Sequence, residues 1–392
     1  MKIALITPWY GEFAGGAEVL ARNIVENLVK CGHPVEVLTT CSRSPFDSWW
    51  EDYYKPGQYA INNVPVKRFP VNKNTQNWYH AINHQIISGS LISKNGELEY
   101  LKGSIGSDAL VEFVRNNRSE YVFLLIPYLY GIVYWSYLAA PDRCILIPCI
   151  HDEPQAYFST IREMISSCIL AFNAPEEMAL ASHIHKINRD NAAVCGCGVN
   201  LPASFYSEKF REKFNIHFPY LLYAGRKDIG KNITDLIDYF DYYKRNVRDD
   251  LHLIFIGGGD ASLIPDNDYF IDLGYVSEED KFNAYAGAFA TCLLSTNESF
   301  SFVIMESWGA STPVIVSDNC PVTRGHCIRS NGGLPIRNAD EFCEALRYLK
   351  NHPDVRAGLG LNGRDYVLEN YTWPKVVQRY EALIKKMEMR EL

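Results

Sequence analysis

The sequence predicts an α/β protein with two doubly wound domains in series. Strand-like apolar runs alternate with helical segments along both halves of the chain. Such alternation is typical of βαβ units, whose right-handed crossovers build a parallel sheet. The alternation becomes less regular over residues 200–219, where we place the linker. A chain of 392 residues is also longer than one domain with a single hydrophobic core usually is.

The first half opens with a βαβ unit. A strand at 2–7 leads through a loop at 8–15 into a helix at 16–30, which Gly32 ends, and a strand follows at 35–40. The segment AINNVPVKRFPV predicts a strand pair. The later strands of this half are predicted at 122–126, 144–150 and 167–172.

The second half repeats the alternation from residue 220. Its strands are predicted at 220–224, 252–256, 269–273, 290–294 and 313–316, and its helices at 233–248, 278–286, 302–310 and 339–350. A last helix at 373–389 has no strand after it. We therefore predict domains at 1–205 and 206–372, with 373–392 as a C-terminal helix. Two such domains place a crevice between two sets of strand ends, where ligands bind.

Composition excludes several classes of protein. A net charge of −8 and a pI near 5.7 argue against a nucleic-acid binder. The eleven scattered cysteines fit reduced thiols and a cytoplasmic location. Cys195 and Cys197 lack a second ligand pair at zinc-like spacing, and no Asp-x-Asp follows a strand, so we expect neither a metal nor another cofactor.

One apolar segment, residues 120–142, is long enough to span a bilayer. Pro127 and Gly131 interrupt it, and five tyrosines dilute its apolar character. A buried strand followed by a helix suits a parallel sheet better, and we favour that interpretation over a membrane span.

Three motifs lie at predicted strand ends. Gly15 and Gly16 precede the first helix, where backbone N–H groups can meet a phosphate, although an ordinary helix-start turn has the same pattern. Arg226 and Lys231 follow the first strand of the second half and could hold a diphosphate or be solvated surface charges. Gly257 lies in a glycine run that could leave backbone groups free to read a base or form a plain turn.

The stretch NESFSFVIMESWGA carries two glutamates in apolar surroundings. Glu298 falls in the loop after a predicted strand, and Glu306 falls about one turn into the following helix. The first N–H groups of that helix lack intrahelical partners and favour an anion. Carboxylates accept hydrogen bonds from vicinal hydroxyls, so this arrangement would bind a sugar nucleotide.

The spacing Glu298-x7-Glu306, with GRKDIGKN upstream and GGAE near the start, resembles the retaining GT-B glycosyltransferases of family 4. The similarity extends over nearly the whole chain, through SNGGLPIRNADEF and the helix after YTW. It implies two Rossmann-like domains that face a central cleft, with the last helix crossing back to the first domain. It also implies a nucleotide-sugar donor on the second domain and an acceptor on the first.

The resemblance assigns roles to individual residues. Glu306 would hold the ribose hydroxyls, Glu298 the donor sugar, and Arg226 with Lys231 the diphosphate. His151, which could also belong to a structural turn, would lie near the transferred sugar. The residues expected at the nucleotide sugar are Gly15, Gly16, Arg226, Lys231, Gly257, Tyr275, Val276, Glu298, Ser299, Phe300, Ser301, Phe302, Val303 and Glu306. The chain departs from the family at Ser301 and Asn232, where glycine is usual.

The implied activity is retaining transfer of a hexose, glucose as a first guess, from a UDP-sugar to a saccharide or lipid-linked saccharide in envelope or exopolysaccharide synthesis. Loose association with the inner face of the membrane would fit such an acceptor. Two alternatives share the fold: a sugar-nucleotide epimerase and a non-catalytic nucleotide-sugar binder. The aromatic stretch 49–79 could be an acceptor platform or a packed loop.

Overall fold

The computed structural model describes residues 1–11, 15–73 and 75–389. The chain divides into two compact units. Unit 1 comprises Met1–Gly198 with Trp373–Leu392, and unit 2 comprises Val199–Thr372. The division after Gly198 lies a few residues before the boundary that the sequence predicts at 205.

Unit 1 is built on one mostly parallel sheet. Its strands within the described residues are β1 (Lys2–Ile6), β2 (Val35–Thr40), β3 (Gly57–Ile61), β4 (Val64–Phe69), β5 (Tyr121–Leu125), β6 (Cys144–Leu146), β7 (Ile169–Phe172) and β8 (Ala192–Val194). They lie in the order β3-β4-β2-β1-β5-β6-β7-β8, and β3 alone among them is antiparallel to its neighbour. The strand order reverses between β1 and β5, so ligands are expected outside the carboxyl ends of these two strands.

The helices of unit 1 cover this sheet. They are α1 (Gly16–Lys30), α2 (Gln76–Ile87), α3 (Lys94–Gly103), α4 (Asp108–Asn116), α5 (Gly131–Ala139), α6 (Ser159–Ser167) and α7 (Pro175–Ile184). The apolar segment 120–142 is divided between β5, whose five residues are all buried, and the nine-residue α5. The predicted strand-plus-helix division is therefore confirmed. No helix among the described residues combines the length and apolar character that crossing a membrane requires.

Unit 2 has the strand order of a dinucleotide-binding fold. Its described strands are β9 (Tyr220–Ala224), β10 (His252–Ile256), β11 (Phe270–Asp272), β12 (Ala290–Leu293), β13 (Val314–Ser317) and β14 (Gly333–Ile336). All neighbouring pairs are parallel, in the order β11-β10-β9-β12-β13-β14. Because the order reverses between β9 and β12, the loops after these two strands lie at the topological switch point.

The helices of unit 2 follow the strands in alternation. They are α8 (Ser207–Lys213), α9 (Ile233–Asn246), α10 (Glu278–Gly287), α11 (Phe302–Gly309), α12 (Pro321–Ser330), α13 (Ala339–Asn351) and α14 (Pro353–Asn370). Strand β9, YLLYA, is buried along its whole length, as expected of a strand covered on both faces. The fold class is thus confirmed: two parallel-sheet, Rossmann-like units.

The last helix, α15 (Trp373–Met389), belongs to unit 1 and contacts α1 and the strands β5–β8. Its buried side chains recur at helical spacing from Trp373 to Met387. A side chain at Gly198 would strike the Trp373 ring, so this glycine permits the close approach. Arg379 adds a hydrogen bond of 2.9 Å from its Nη1 to Cys195 O.

The aromatic stretch 49–79 packs largely into the core of unit 1. Trp50 and Tyr79 are buried, and Trp49 packs against the same cluster. Trp50 Nε1 donates to Gly103 O at 2.9 Å, which ties the stretch to the end of α3. The burial favours the packed-loop interpretation for these three rings, while Tyr53 remains exposed.

Three loops at the carboxyl edge of the second sheet are tied together. Lys227 is buried and its Nζ donates to Gly257 O at 2.5 Å and to Asp272 Oδ1 at 3.0 Å. Gly257 N donates to Gly274 O at 2.7 Å. A side chain at Gly257, where φ is +114°, would strike the Gly225 carbonyl, so the glycine is required by the close approach of two loops. Lys227 with Asp272 therefore links the ends of β9, β10 and β11.

Removal of Asp272 should destabilise the protein strongly, because it leaves the buried Lys227 ammonium without its counter-charge. We expect Asp272→Ala to lower the free energy of unfolding by about 1.5–3 kcal/mol, the usual contribution of a hydrogen bond to a charged group, because the Asp272 side chain is itself partly exposed. Equilibrium urea unfolding measures this. Asp266→Ala, at an exposed position of the preceding loop, is the matched control. If both variants unfolded at the same urea concentration, the Lys227–Asp272 pair would contribute nothing to stability.

Candidate functional site

The predicted residues of the second half meet at the switch point of unit 2. The loop after β9 carries Arg226 and Lys231, and the loop after β12 carries Glu298. Lys231 Nζ lies 2.7 Å from Glu298 Oε1, and the Glu298 side chain is only 14% exposed. The structure therefore joins two of the predicted residues in one ion pair.

Local sequence explains the position of Lys231. It ends a short 3₁₀ turn that Asp228 caps by accepting a hydrogen bond of 2.8 Å from Gly230 N. Asn232 follows in the left-handed conformation with φ of +53° and leads into α9. Asparagine tolerates this region better than most residues, which accounts for a departure from the usual glycine. The turn brings the Lys231 side chain against the neighbouring loop.

Arg226 lies at the start of the same loop. Its guanidinium Nη2 is 3.3 Å from Asp228 Oδ2, and its side chain is 47% exposed. Tyr223 Oη donates to Arg226 O at 2.6 Å and so fixes the backbone at this point. Arg226 is held at the edge of the sheet with its charge accessible to solvent.

Glu306 is engaged by two side chains of α10. Lys281 Nζ lies 2.9 Å from Glu306 Oε1, and Tyr285 Oη donates to Glu306 Oε2 at 3.1 Å. Burial raises the pKa of Glu306, and the Lys281 charge offsets part of that rise. Burial lowers the pKa of Lys281, but the carboxylates of Glu306 and Glu278 outweigh it and the net shift is upward.

The N-terminus of α11 lies between the two glutamates in sequence. No side chain caps it, so its first N–H groups have no partner in the helix. Ser301 precedes it with φ of +76° and ψ of 88°, a region that serine adopts only with strain. Its Oγ is buried and has no hydrogen-bond partner within the described residues. The segment thus places an uncapped helix N-terminus and a buried hydroxyl between two carboxylates in sequence.

Aromatic rings of unit 2 pack against the loop before α11. Phe300 is buried, and its ring centroid lies 5.6 Å from that of His326 and 5.1 Å from that of Tyr371. Ser299, Phe302 and Val303 are partly buried around it. Phe300 therefore anchors the loop rather than offering its face to solvent.

The loop after β11 carries the predicted base-binding residues. Tyr275 is 79% exposed, and Val276 is partly buried and packs against the core of unit 2. Gly274, with φ of +62°, makes the turn that precedes them. The exposed Tyr275 ring is available to stack on a flat group.

The remaining predicted residues belong to unit 1. Gly15 has extended backbone and precedes α1, and a side chain at Gly16 would meet no atom within 4 Å. Residues 12–14 of the preceding loop lie outside the described part of the chain. His151 follows β6 with its side chain 30% exposed, and its Nδ1 is 3.9 Å from Glu153 Oε1.

A buried glutamate that the sequence did not point to holds the His151 loop. Glu177 accepts hydrogen bonds from Ile150 N at 2.9 Å and Asn173 N at 2.6 Å, and burial raises its pKa to about 8. Cys149, one residue before Ile150, has φ of +53°. The predicted strand 144–150 ends at Leu146, because the chain turns through Pro148 and Cys149 into this loop.

The sequence analysis also did not identify Lys281 and Tyr285 as site residues. They are four residues apart on α10 and so share one helix face, which was the only available signal. Among the described residues, no group of three or more His, Cys, Asp or Glu side chains is placed to hold a metal ion. Cys195 and Cys197 are buried thiols, and burial raises the pKa of Cys195 to about 12.

Three comparisons with known proteins identify what this chain is similar to. Residues 206–366 match the family model of Glycosyl transferases group 1. An uncharacterised glycosyltransferase of Methanocaldococcus jannaschii is 23% identical, over 99% of this chain and 99% of the relative. Sucrose-phosphate synthase of Thermosynechococcus elongatus has a similar structure, with a TM-score of 0.72 and 18% identity over 99% of both chains.

Anabaena HepE in complex with UDP-glucose is a further structural neighbour, with a TM-score of 0.70 and 14% identity over 98% of this chain and 100% of that one. At these identities the solved structures show the fold, which is GT-B. The family-model match lies within unit 2 and covers the loops of Arg226 and Glu298 and the helix of Glu306. Together these findings support a glycosyltransferase with the GT-B fold.

Ser301→Gly should stabilise the protein, because glycine adopts φ of +76° without a side-chain clash. We expect a gain of about 1 kcal/mol, as strain of this kind exceeds the added entropy of an unfolded glycine. Ser301→Ala removes the hydroxyl but keeps the strain and should gain less. Urea unfolding of both variants measures the difference. A loss of stability in Ser301→Gly would mean that this backbone is not strained.

Proposed function

We propose that this chain is a retaining glycosyltransferase that moves a hexose from a UDP-sugar to a saccharide or lipid-linked saccharide hydroxyl. The observation that carries the proposal is the pair Glu298 and Glu306 at the switch point of unit 2, on either side of an uncapped helix N-terminus. A nucleotide sugar carries the hydroxyls of its sugar on one side of the diphosphate and the hydroxyls of its ribose on the other. This order matches the order of binding groups in the segment, which are the Glu298 carboxylate, the N–H groups of the α11 N-terminus and the Glu306 carboxylate.

Each group of the donor has a proposed partner. Glu306 accepts the ribose hydroxyls, Glu298 accepts hydroxyls of the donor sugar, and the first N–H groups of α11 receive the diphosphate. The buried Ser301 Oγ adds one hydroxyl donor to that group. Tyr275 and Val276 meet the base. His151 and Gly16 of unit 1 remain the proposed residues near the transferred sugar and the diphosphate.

The reaction breaks the bond between the sugar C1 and the phosphate oxygen and forms a bond from the acceptor oxygen to C1 on the same face. The leaving phosphate takes the acceptor hydroxyl proton, and UDP departs with the bonding electrons. Negative charge grows on that phosphate as the bond breaks, so fixed cations at Arg226 and Lys231 stabilise the transition state more than the ground state. Positioning and charge stabilisation supply the catalysis.

One structural neighbour supports the choice of donor. HepE, which shares the fold, is seen with UDP-glucose, and this supports UDP-glucose as the first donor to test. No metal or other cofactor is assigned a role, because Arg226 and Lys231 already place two cations at the proposed diphosphate site. We propose that the enzyme works in the cytoplasm, where nucleotide sugars are made, and contacts the membrane loosely when its acceptor is lipid-linked.

Incubation with UDP-glucose and EDTA tests this function. We expect release of UDP and transfer of glucose to a saccharide or lipid-linked acceptor, with the anomeric configuration retained as read by NMR. The rate should be unchanged by EDTA because Arg226 and Lys231 supply the positive charge. Interconversion of two UDP-sugars would indicate an epimerase, and binding without either reaction would indicate a non-catalytic protein. Loss of transfer in EDTA and recovery with Mg²⁺ would contradict metal independence.

Arg226→Ala and Lys231→Ala should impair the chemical step more than donor binding. We expect kcat to fall roughly 10²-fold, as for loss of one oxyanion donor, with a smaller change in the donor KM. Steady-state kinetics measures both parameters. Arg245→Ala is the matched control, since Arg245 is an exposed arginine of α9 paired with Asp241. A large rise in KM at constant kcat would mean that these residues only hold the donor.

A further inference from the structure

The contacts of Glu306 suggest how a buried carboxylate is kept ready to accept hydroxyls. Both of its oxygens already receive a donor from α10, Oε1 from Lys281 and Oε2 from Tyr285. A carboxylate has about four lone-pair sites, so roughly two remain for a ligand. The two fixed donors on one side orient the plane of the carboxylate, and the free lone pairs then point away from α10.

The donors themselves are firmly placed. Tyr285 is fully buried, and its backbone oxygen accepts a hydrogen bond of 2.7 Å from Thr312 Oγ1. Lys281 Nζ is also 3.0 Å from Glu278 Oε2, so it bridges two carboxylates. The side chains of Lys281 and Glu306 remain 22% and 16% exposed, which leaves one edge of the pair open. A ligand can therefore reach Glu306 without displacing Lys281.

The charge state of Glu306 matters for its proposed role. A protonated carboxyl has one oxygen that donates, so it can no longer accept from two vicinal hydroxyls at once. Burial favours that protonated form, and the ammonium 2.9 Å away opposes it. Removal of Lys281 would leave burial opposed only by the weaker effect of the Tyr285 hydrogen bond.

We propose that Lys281 and Tyr285 are positioning residues for the donor: they hold Glu306 as an oriented carboxylate whose free lone pairs receive the vicinal hydroxyls of the donor ribose. This inference rests on the proposed function. It assigns the pair to α10, an element that contributes none of the predicted site residues. A contact that only stabilised the packing of α10 against α11 would leave the pH dependence of nucleotide binding unchanged.

The groups around Glu306 define the expected pH dependence. From α10 it faces Lys281, Tyr285 and Glu278. From α14, Arg364 donates to Gly309 O at the far end of α11. Glu306 is the one charged side chain of α11 itself. Since Lys281 is the cation that contacts it, loss of Lys281 raises the pKa of Glu306. The defect in binding should then be largest in mild acid and shrink as the pH rises.

Calorimetric titration of UDP between pH 6 and pH 8.5 tests the proposal. We expect Lys281→Met to raise the Kd relative to wild type at pH 6, by at most about tenfold for a pKa higher by about one unit, and clearly less at pH 8.5. The ratio to wild type at each pH removes the titration of UDP itself. Lys281→Arg should restore most of the affinity. Lys209→Met is the matched control, because Lys209 of α8 forms an exposed ion pair with Glu279 of α10, the helix that carries Lys281.

Two further variants separate the inference from the proposed function. Glu306→Gln should weaken UDP binding, and Lys281→Met added to it should cause no further loss, because both act through one carboxylate. Tyr285→Phe keeps the buried ring and should weaken UDP binding about threefold, within the range of one lost hydrogen bond. This variant carries the test if Lys281→Met folds poorly.

The outcomes are distinguishable. Unchanged UDP affinity in Glu306→Gln would remove the carboxylate from the site and overturn the proposed function as drawn. Weakened binding in Glu306→Gln with normal binding in both Lys281→Met and Tyr285→Phe would overturn this inference alone. A Lys281→Met defect that is independent of pH, or that adds to the Glu306→Gln defect, would also overturn it.

Discussion

Two carboxylates close to one helix N-terminus constrain everything around them, because a partly buried carboxylate is stable only with a partner. Glu298 has Lys231 from the loop after β9, and Glu306 has Lys281 from α10. The strand order of unit 2 makes the first pairing possible, since β9 and β12 are neighbours although 65 residues or more separate their sequence positions. The second pairing depends on α10 lying beside α11.

The loops that surround these carboxylates are rigid for a separate reason. Lys227 and Asp272 connect the ends of three neighbouring strands, and Gly257 lets two of the loops approach closely. Phe300 fixes the loop before α11 from the core side. Preorganised groups act on a developing charge without first having to move, so rigidity at this edge of the sheet suits the proposed stabilisation of a leaving phosphate. In unit 1, Glu177 ties the His151 loop to the end of β7 in a similar way.

The fold was predictable because long apolar runs alternate with amphipathic helices. The predicted strands 220–224 and 252–256 and the helix 373–389 match β9, β10 and α15 in full. Strand β14 was missed because Gly333 and Pro335 dilute its apolar character, and β8 was missed because it is short and only partly buried. The partners of Glu306 could not be predicted, since Lys281 is 25 residues away and meets it only through tertiary packing. Gly257 was expected beside a base. The structure shows that glycine is also required there because a side chain would strike the Gly225 carbonyl.

We propose that the nucleotide of a sugar donor binds at the carboxyl edge of the second sheet, between Glu298 and Glu306. Backbone amide deuterium exchange with and without saturating UDP tests this claim most directly, because it locates the ligand without altering a residue. We expect slower exchange in UDP for residues 274–276 and 297–306, with exchange in α13 unchanged. Unchanged exchange in both segments, or slower exchange confined to unit 1, would contradict it.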